Sequence, residues 1–309
     1  MRAGAPRFAG VYAATVCPML PDGEIDRASL RRHLRAVGAT RGLAGLLVNG
    51  HAGENFTLSA EEQRVVLEEA RAALPAPAQV VAGVNAEASA VAVRLARDAA
   101  AAGADAILLF PPFSWALSQD LGVVVRHHAL VSEACGLPLF LYQAPAAAAQ
   151  LAYRPDTLAA LLALPNVAGI KEGSWETAAY EATRRLVRRL RPDVAVMASG
   201  DEHLLTCFVL GSEGTQVSLA ALMPETVIAL EAAVRTGDLR AAQAAHQVIY
   251  PLAKAIYGTR PSGRATARLK ACLHMLGRIG HAACRAPMAD LSADDCAMLR
   301  EALGAAGLL

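Results

Sequence analysis

The sequence predicts an α/β fold: a (β/α)8 barrel of the TIM type, followed by a small C-terminal helical domain. Three observations predict it. Short apolar runs alternate with helix-like runs eight times between residues 8 and 237. The apolar runs are continuous rather than alternating, which marks strands buried on both faces. Strands separated by helices of about 10–15 residues imply a parallel sheet, and eight such units can close on themselves. The rival is an open doubly wound sheet, but no G-x-G-x-x-G follows any strand.

The units follow in order. "FAGVYAATV" (8–16) precedes "DRASLRRHLRAVGA", and "GLLVN" (45–49) precedes "SAEEQRVVLEEARAA". "VVAGV" (80–84) precedes "SAVAVRLARDAAAAG", and "AILLF" (106–110) precedes "LGVVVRHHALVSEAC". "PLFLY" (138–142) precedes "RPDTLAALLAL", and "VAGIK" (167–171) precedes "ETAAYEATRRLVRRL". "VAVMAS" (194–199) precedes "DEHLLTCFVLG", and "GTQVS" (214–218) precedes "PETVIALEAAVRTG". Ser59 before "AEEQ" and Asp26 before "RASL" stand where helix N-caps belong, and Gly237 is a plausible stop for the eighth helix. After about residue 235 the strand signals cease. Three helical stretches, "DLRAAQAAHQVIYPLAKAIY", "RATARLKACLHMLG" and "SADDCAMLREALGAAG", place a helical domain over 236–309, with the barrel over 1–235.

Composition narrows the class. The 309 residues are 54% hydrophobic, and the formal net charge is +1, which gives no electrostatic case for nucleic acid or an anionic membrane. No stretch of about 20 uncharged apolar residues exists to span a bilayer. The six cysteines are irregularly spaced without a C-x-x-C pair, so reduced thiols and a cytoplasmic location are expected. The arginines before the first apolar run superficially suggest a signal peptide, but the run is short and reads better as the first strand. The basic run "RPSGRATARLK" and the pair His127–His128 are expected on the solvated surface.

In a (β/α)8 barrel the chemistry lies at the C-terminal ends of the strands. Strand two ends in Asn49, Gly50, His51, Ala52, Gly53 and Glu54. Strand four ends in "PPFSW", five in Tyr142 and Gln143, and six in Lys171 and Glu172. Strand seven ends in Ser199, Gly200 and Asp201, and strand eight contributes Gln216, Val217 and Ser218. Lys171 is the informative residue. A lysine interrupting an apolar run is either paired, here with Glu172 or another acid, or working. A hydrophobic pocket lowers an amine's pKa, which is how lysines that form Schiff bases are activated. Tyr142 ends the neighbouring strand and could relay a proton there, or only pack. Asp201 reads as a cap of the next helix, and Glu54 as a tie for its own loop.

The chain resembles the dihydrodipicolinate synthase / N-acetylneuraminate lyase family of class I aldolases over essentially its whole length. The resemblance rests on "GLLVNGHAGENFTLSAEEQ", "ILLFPPF", "LYQAP", "GIKEGS", "SGDE" and "CRAPM". It implies pyruvate or another 2-oxo acid held as a covalent imine on Lys171, with no separate cofactor and no metal. It implies Tyr142 as the proton-transfer residue and the Gly50–Glu54 loop as the carboxylate site. A homotetramer or homodimer is also implied.

Three positions depart from the synthase pattern. The loop residues that are threonines in synthases are His51 and Ala52, so carboxylate binding falls to backbone N–H groups and to His51. A tyrosine expected after "PP" is Ser114. The arginine expected after "Y-x-x-P" is absent from "AAAAQLA". His51 could replace the missing hydroxyl as an acid/base partner, since a free imidazole titrates near neutrality, or could only bond backbone. The expected function is therefore a Schiff-base lyase acting by aldol cleavage, aldol addition or dehydration on a 2-oxo acid, in some cases with an aldehyde. The second substrate is expected to lack a carboxylate near 146–153, unless another element supplies the cation. The alternatives are the synthase reaction proper and a non-catalytic 2-oxo acid sensor. A metal site built from His51, Glu54, Asp201 and His203 is a further rival.

Overall fold

Eight parallel strands close on one another in sequence order, β1 pairing with β2 on one side and β8 on the other. They are β1 (Gly10–Ala14), β2 (Leu43–Val48), β3 (Gln79–Val84), β4 (Ala106–Leu109), β5 (Leu139–Gln143), β6 (Val167–Glu172), β7 (Ala195–Ala198) and β8 (Gly214–Val217). The computed structural model describes residues 7–309. Eight helices surround the sheet: α1 (Arg27–Gly38), α2 (Ala60–Ala73), α3 (Ser89–Ala101), α4 (Leu121–Cys135), α5 (Pro155–Leu162), α6 (Thr177–Leu190), α7 (Leu204–Val209) and α8 (Pro224–Thr236). The first six residues of the barrel expected over 1–235 lie outside the described residues.

The helix boundaries follow the local chemistry. Asp26 accepts from the Ser29 N–H, Ser59 and Glu62 form a reciprocal capping box, and Gly237 ends α8 in the left-handed conformation. Strand alternation divides the core in two. One set of side chains fills the space between sheet and helices, including Leu46, Ile107, Leu141, Ile170 and Val196. The other fills the barrel, including Phe8, Tyr12, Leu47, Leu108, Phe140 and Met197. Position 169 of β6 is a glycine because the Phe140 ring of the barrel interior occupies the space: a Cβ there would stand 2.1 Å from it. The next residue of β6 on that face is Lys171. Packing thus fills the barrel below and leaves the amine one layer higher, at the mouth.

Three further helices follow, α9 (Leu239–Ala253), α10 (Ala265–Met275) and α11 (Ala293–Ala305), with a single π turn, Lys254–Gly258, after α9. They are stitched to the barrel. Arg285 donates to Gly23 O and Thr57 O and forms an ion pair with Glu62. Of two surface expectations one holds only in part, since 260–263 are exposed but the end of the run is not, and the other is overturned. In the run "RPSGRATARLK", Arg268 and Lys270 are wholly buried. Arg268 donates to the carbonyls of Ile256, Thr259 and Arg260, and Lys270 pairs with Glu54. His127 and His128 are buried as well. His128 Nδ1 donates to Val124 O, its Nε2 accepts from the Tyr153 hydroxyl at 2.9 Å, and His127 meets Ser89. Internal partners take up most of these polar groups, His127 Nε2 and Arg268 Nε excepted, so polarity alone misplaced them. None of the helices is long and apolar enough to cross a membrane among the described residues, and all six cysteines are free thiols.

Candidate active site

A cavity of about 160 Å³ opens at the C-terminal end of the strands, lined by Lys171, Tyr142, Gly50, His51, Ala52, Asp201, Gln216 and Val217 among others. Lys171 enters from β6, with its remaining accessible surface facing the cavity. Desolvation lowers its pKa to about 8, opposed by the charge of Asp201. The pairing with Glu172 does not occur. Glu172 lies on the opposite face of β6, where its carboxylate accepts from Ser174. The amine therefore has no ion-pair partner within reach among the described residues.

Tyr142 stands beside Lys171 in the β5–β6 register. Neighbouring strands run about 4.8 Å apart, so hydroxyl and amine reach into one space. Burial raises the phenol's pKa, with Glu172 adding to the effect, so Tyr142 remains a proton donor at neutral pH. Gly173 leaves room for it: a Cβ there would meet the Tyr142 hydroxyl at 3.4 Å. The Asp201 carboxylate does not cap α7. It accepts from the Leu219 N–H at 2.9 Å and lines the cavity from the end of β7, the strand next to β6. Desolvation raises its pKa to about 7, opposed by that hydrogen bond and by Lys171.

The residues after β2 form a short 3-10 turn, His51–Gly53, entered through Asn49 in the left-handed conformation. In such a turn the first N–H groups, those of His51 and Ala52, have no partner within the turn. The His51 ring stacks on Phe110 at 4.1 Å between centroids and meets Tyr142 edge-on at 5.5 Å. Burial, with a contribution from Lys171, lowers its pKa to about 3. That direction keeps the imidazole neutral in the free protein. Its Nε2 is buried without a partner. It is free to exchange one hydrogen bond with a ligand.

Gln216 is fully buried on the cavity wall, and neither its amide nitrogen nor its oxygen has a partner. An unsatisfied buried amide costs about 1–3 kcal/mol unless a ligand or water takes it up. Replacing Gln216 by Leu is expected to raise KM for the 2-oxo acid about tenfold while leaving the melting temperature equal or higher. Steady-state kinetics and a thermal melt check this together.

Ser114 is not brought to the cavity. It is exposed after β4, with its N–H donating to Glu87. Gly53 is buried behind the turn and does not line the cavity. Glu54 turns away as well, toward Lys270, so the rival metal set of His51, Glu54, Asp201 and His203 does not converge. No three metal-ligating side chains gather among the described residues. Sequence reasoning missed Trp175 and Tyr257. Trp175 follows β6 at a φ of 61° and donates its indole N–H to Glu202 at 2.7 Å. The Tyr257 hydroxyl meets Ser218 at 2.8 Å. Tyr257 comes from the π turn after α9, beyond the strand ends where barrel logic looks.

The fold and the chamber define the class: a (β/α)8 barrel enzyme with an uncompensated lysine at the end of its sixth strand. Residues 7–306 match the model of the dihydrodipicolinate synthetase family, to which the chain belongs, and it is an enzyme of the aldolase-type lyases. It is 33% identical over 312 residues to the 4-hydroxy-tetrahydrodipicolinate synthase of Acidiphilium cryptum, covering 98% of this chain and 99% of that protein. It is 31% identical over 297 residues to the enzyme of the same name from Methanothrix thermoacetophila, covering 96% of each. Among solved structures, dihydrodipicolinate synthase from Thermotoga maritima superposes with a TM-score of 0.89 at 25% identity, over 98% of this chain and 99% of that one. The chloride-inhibited, pyruvate-complexed enzyme of Acinetobacter baumannii superposes at 0.86 with 28% identity, over 97% and 99%.

Proposed function

We propose that the protein is a class I lyase that holds a 2-oxo acid as an imine on Lys171. The supporting observation is the Lys171 amine, desolvated, without an ion pair, and beside Tyr142 in the register. Lys171 Nζ attacks the ketone carbon, and the carbonyl oxygen takes a proton from the Tyr142 hydroxyl. The Tyr142 phenolate takes back a proton from the attacking nitrogen and passes it to the carbinolamine hydroxyl. That hydroxyl leaves as water as the nitrogen lone pair forms the iminium, and the phenolate left behind regains a proton when the enamine forms. That cation accepts the electron pair when the bond between the third and fourth carbons breaks, or when a C3 proton leaves ahead of a β-hydroxyl. In the reverse sense the enamine adds to an aldehyde. Asp201 is placed to accept and return a proton near neutrality. The N–H groups of His51 and Ala52, with the Gln216 amide, hold the substrate carboxylate.

A second reading, the 4-hydroxy-tetrahydrodipicolinate synthase reaction, is favoured by the names of the relatives. Ala52 and the exposed Ser114 weigh against it. We also propose that the chain assembles as a homodimer or homotetramer, in keeping with the resemblance.

The test is direct. Incubation with pyruvate and borohydride, digestion and mass measurement are expected to find the pyruvate adduct on the peptide carrying Lys171. An unmodified Lys171 in active enzyme rejects the imine. Assay of pyruvate with aspartate semialdehyde separates the second reading.

A further inference from the structure

The Lys171 cavity adjoins a larger chamber of about 450 Å³, and Trp175, Tyr257 and Ala265 line both. Glu202, His203, Gly258, Arg260 and Ser262 also line the outer chamber. Arg260 is exposed there, and no carboxylate lies within ion-pair distance of it among the described residues. Glu202, the carboxylate on that wall, is engaged elsewhere. One of its oxygens accepts from Trp175 Nε1, and the other lies against the backbone at Gly258, 2.7 Å from where a Cβ would stand.

The segment bearing Arg260 is held from below. Buried Arg268 donates to the carbonyls of Ile256 at 3.2 Å, Thr259 at 2.8 Å and Arg260 at 3.3 Å. A fixed backbone therefore presents a free guanidinium on the wall of a chamber that continues the site. A planar guanidinium binds a carboxylate through paired, charge-assisted hydrogen bonds.

Resting on the imine reading, we infer that the outer chamber receives the far end of the imine-bound 2-oxo acid and that Arg260 binds a terminal carboxylate there. The preferred ligands are then 2-oxo acids carrying a second carboxylate at the end of a chain. The cation missing from 146–153 is supplied by the C-terminal helical segment. Arg260 determines specificity, while Lys171 and Tyr142 do the chemistry.

Borohydride trapping tests this without knowledge of the natural substrate. The probes are 2-oxoadipate, which ends in a carboxylate, and 2-oxohexanoate, its neutral counterpart. Wild-type protein is expected to reach half-maximal trapping at about tenfold lower 2-oxoadipate than 2-oxohexanoate. Arg260→Gln is expected to bring that ratio close to one, and Arg260→Lys to restore part of it. The ratio between two acids is insensitive to the amount of folded protein, which a structural role for Arg260 would change instead. Equal trapping of the two acids by the wild type overturns the inference. So does a ratio that survives in Arg260→Gln, or failure of both tailed acids where pyruvate traps. Failure of pyruvate itself overturns the imine reading, and this inference with it.

Discussion

Lys171→Met is expected to abolish turnover and imine trapping while raising the melting temperature. Loss of the nucleophile should lower kcat by about 10⁴-fold or more, the scale on which a covalent catalyst fails. A free lysine with a pKa near 10.4 leaves only about one amine in a few thousand neutral at pH 7. At the lowered value of about 8, roughly one in ten is neutral. For the free wild-type enzyme, kcat/KM should therefore rise with pH through about 8 as the amine loses its proton. The same shift sets the sign of the stability effect. Between about pH 8 and 10.5 the unfolded chain holds this proton and the folded protein has released it, so wild-type stability rises with pH across that window. Below pH 8 the buried ammonium carries its full cost, on the order of 3 kcal/mol from the size of the shift. Met fills similar space without a charge. The variant should be more stable at pH 7, by several degrees in the melt, and the advantage should shrink toward pH 10. A Met variant that melts at or below the wild type at pH 7 would show that the cavity does not strain the ammonium.

The barrel was legible because its strands are buried on both faces, and a run such as "AILLF" or "VAGIK" has no other comfortable reading. The order of the strand ends then named Lys171, Tyr142, His51, Gln216 and Val217, all of which line one cavity. The failures share a physical cause. Period and polarity say which residues can face water, but not which polar residues find partners inside. His128 closes a hydrogen bond to Tyr153, and Arg268 satisfies three backbone carbonyls, so both are buried despite their type. Ser114 was placed by analogy with a loop, and in this chain that loop turns its side chain outward. Asp201 looked like a cap because it precedes a helix, whereas the hydrogen bond that holds it comes from Leu219, just after the strand of the next unit. The outer chamber was illegible for a related reason. Tyr257 and Arg260 reach it from beyond the eighth unit, and no local pattern announces a long-range approach.

The largest expected stability loss lies in the contact by which the C-terminal helices hold the substrate loop. Glu54 follows the His51–Gly53 turn at a φ of 56°, and its carboxylate is buried. One oxygen receives Lys270 Nζ from α10, and the other receives the Arg285 N–H at 2.9 Å. Lys270 also donates to Ala283 O at 2.9 Å. Removing one partner of such a pair strands the other charge in a low-dielectric interior, which costs about 3–5 kcal/mol. Lys270→Met should therefore lower the unfolding free energy by that amount, read as a fall in the denaturant midpoint equal to the loss divided by m, with little change in m. The double variant Glu54→Gln/Lys270→Met should be more stable than Lys270→Met alone, because no uncompensated charge remains. The kinetic consequence follows from position. α10 holds the turn that carries the His51 and Ala52 N–H groups through Glu54, and also through the Thr266 hydroxyl, which donates to His51 O at 3.4 Å. On the proposed reading, in which the loop binds the carboxylate and Lys171 and Tyr142 do the chemistry, KM for the 2-oxo acid should rise more than kcat falls in both variants. If the double variant regains stability but not KM, the ion pair's geometry positions the loop. If it regains both, a buried plug at this place is enough, and the charges are incidental to binding.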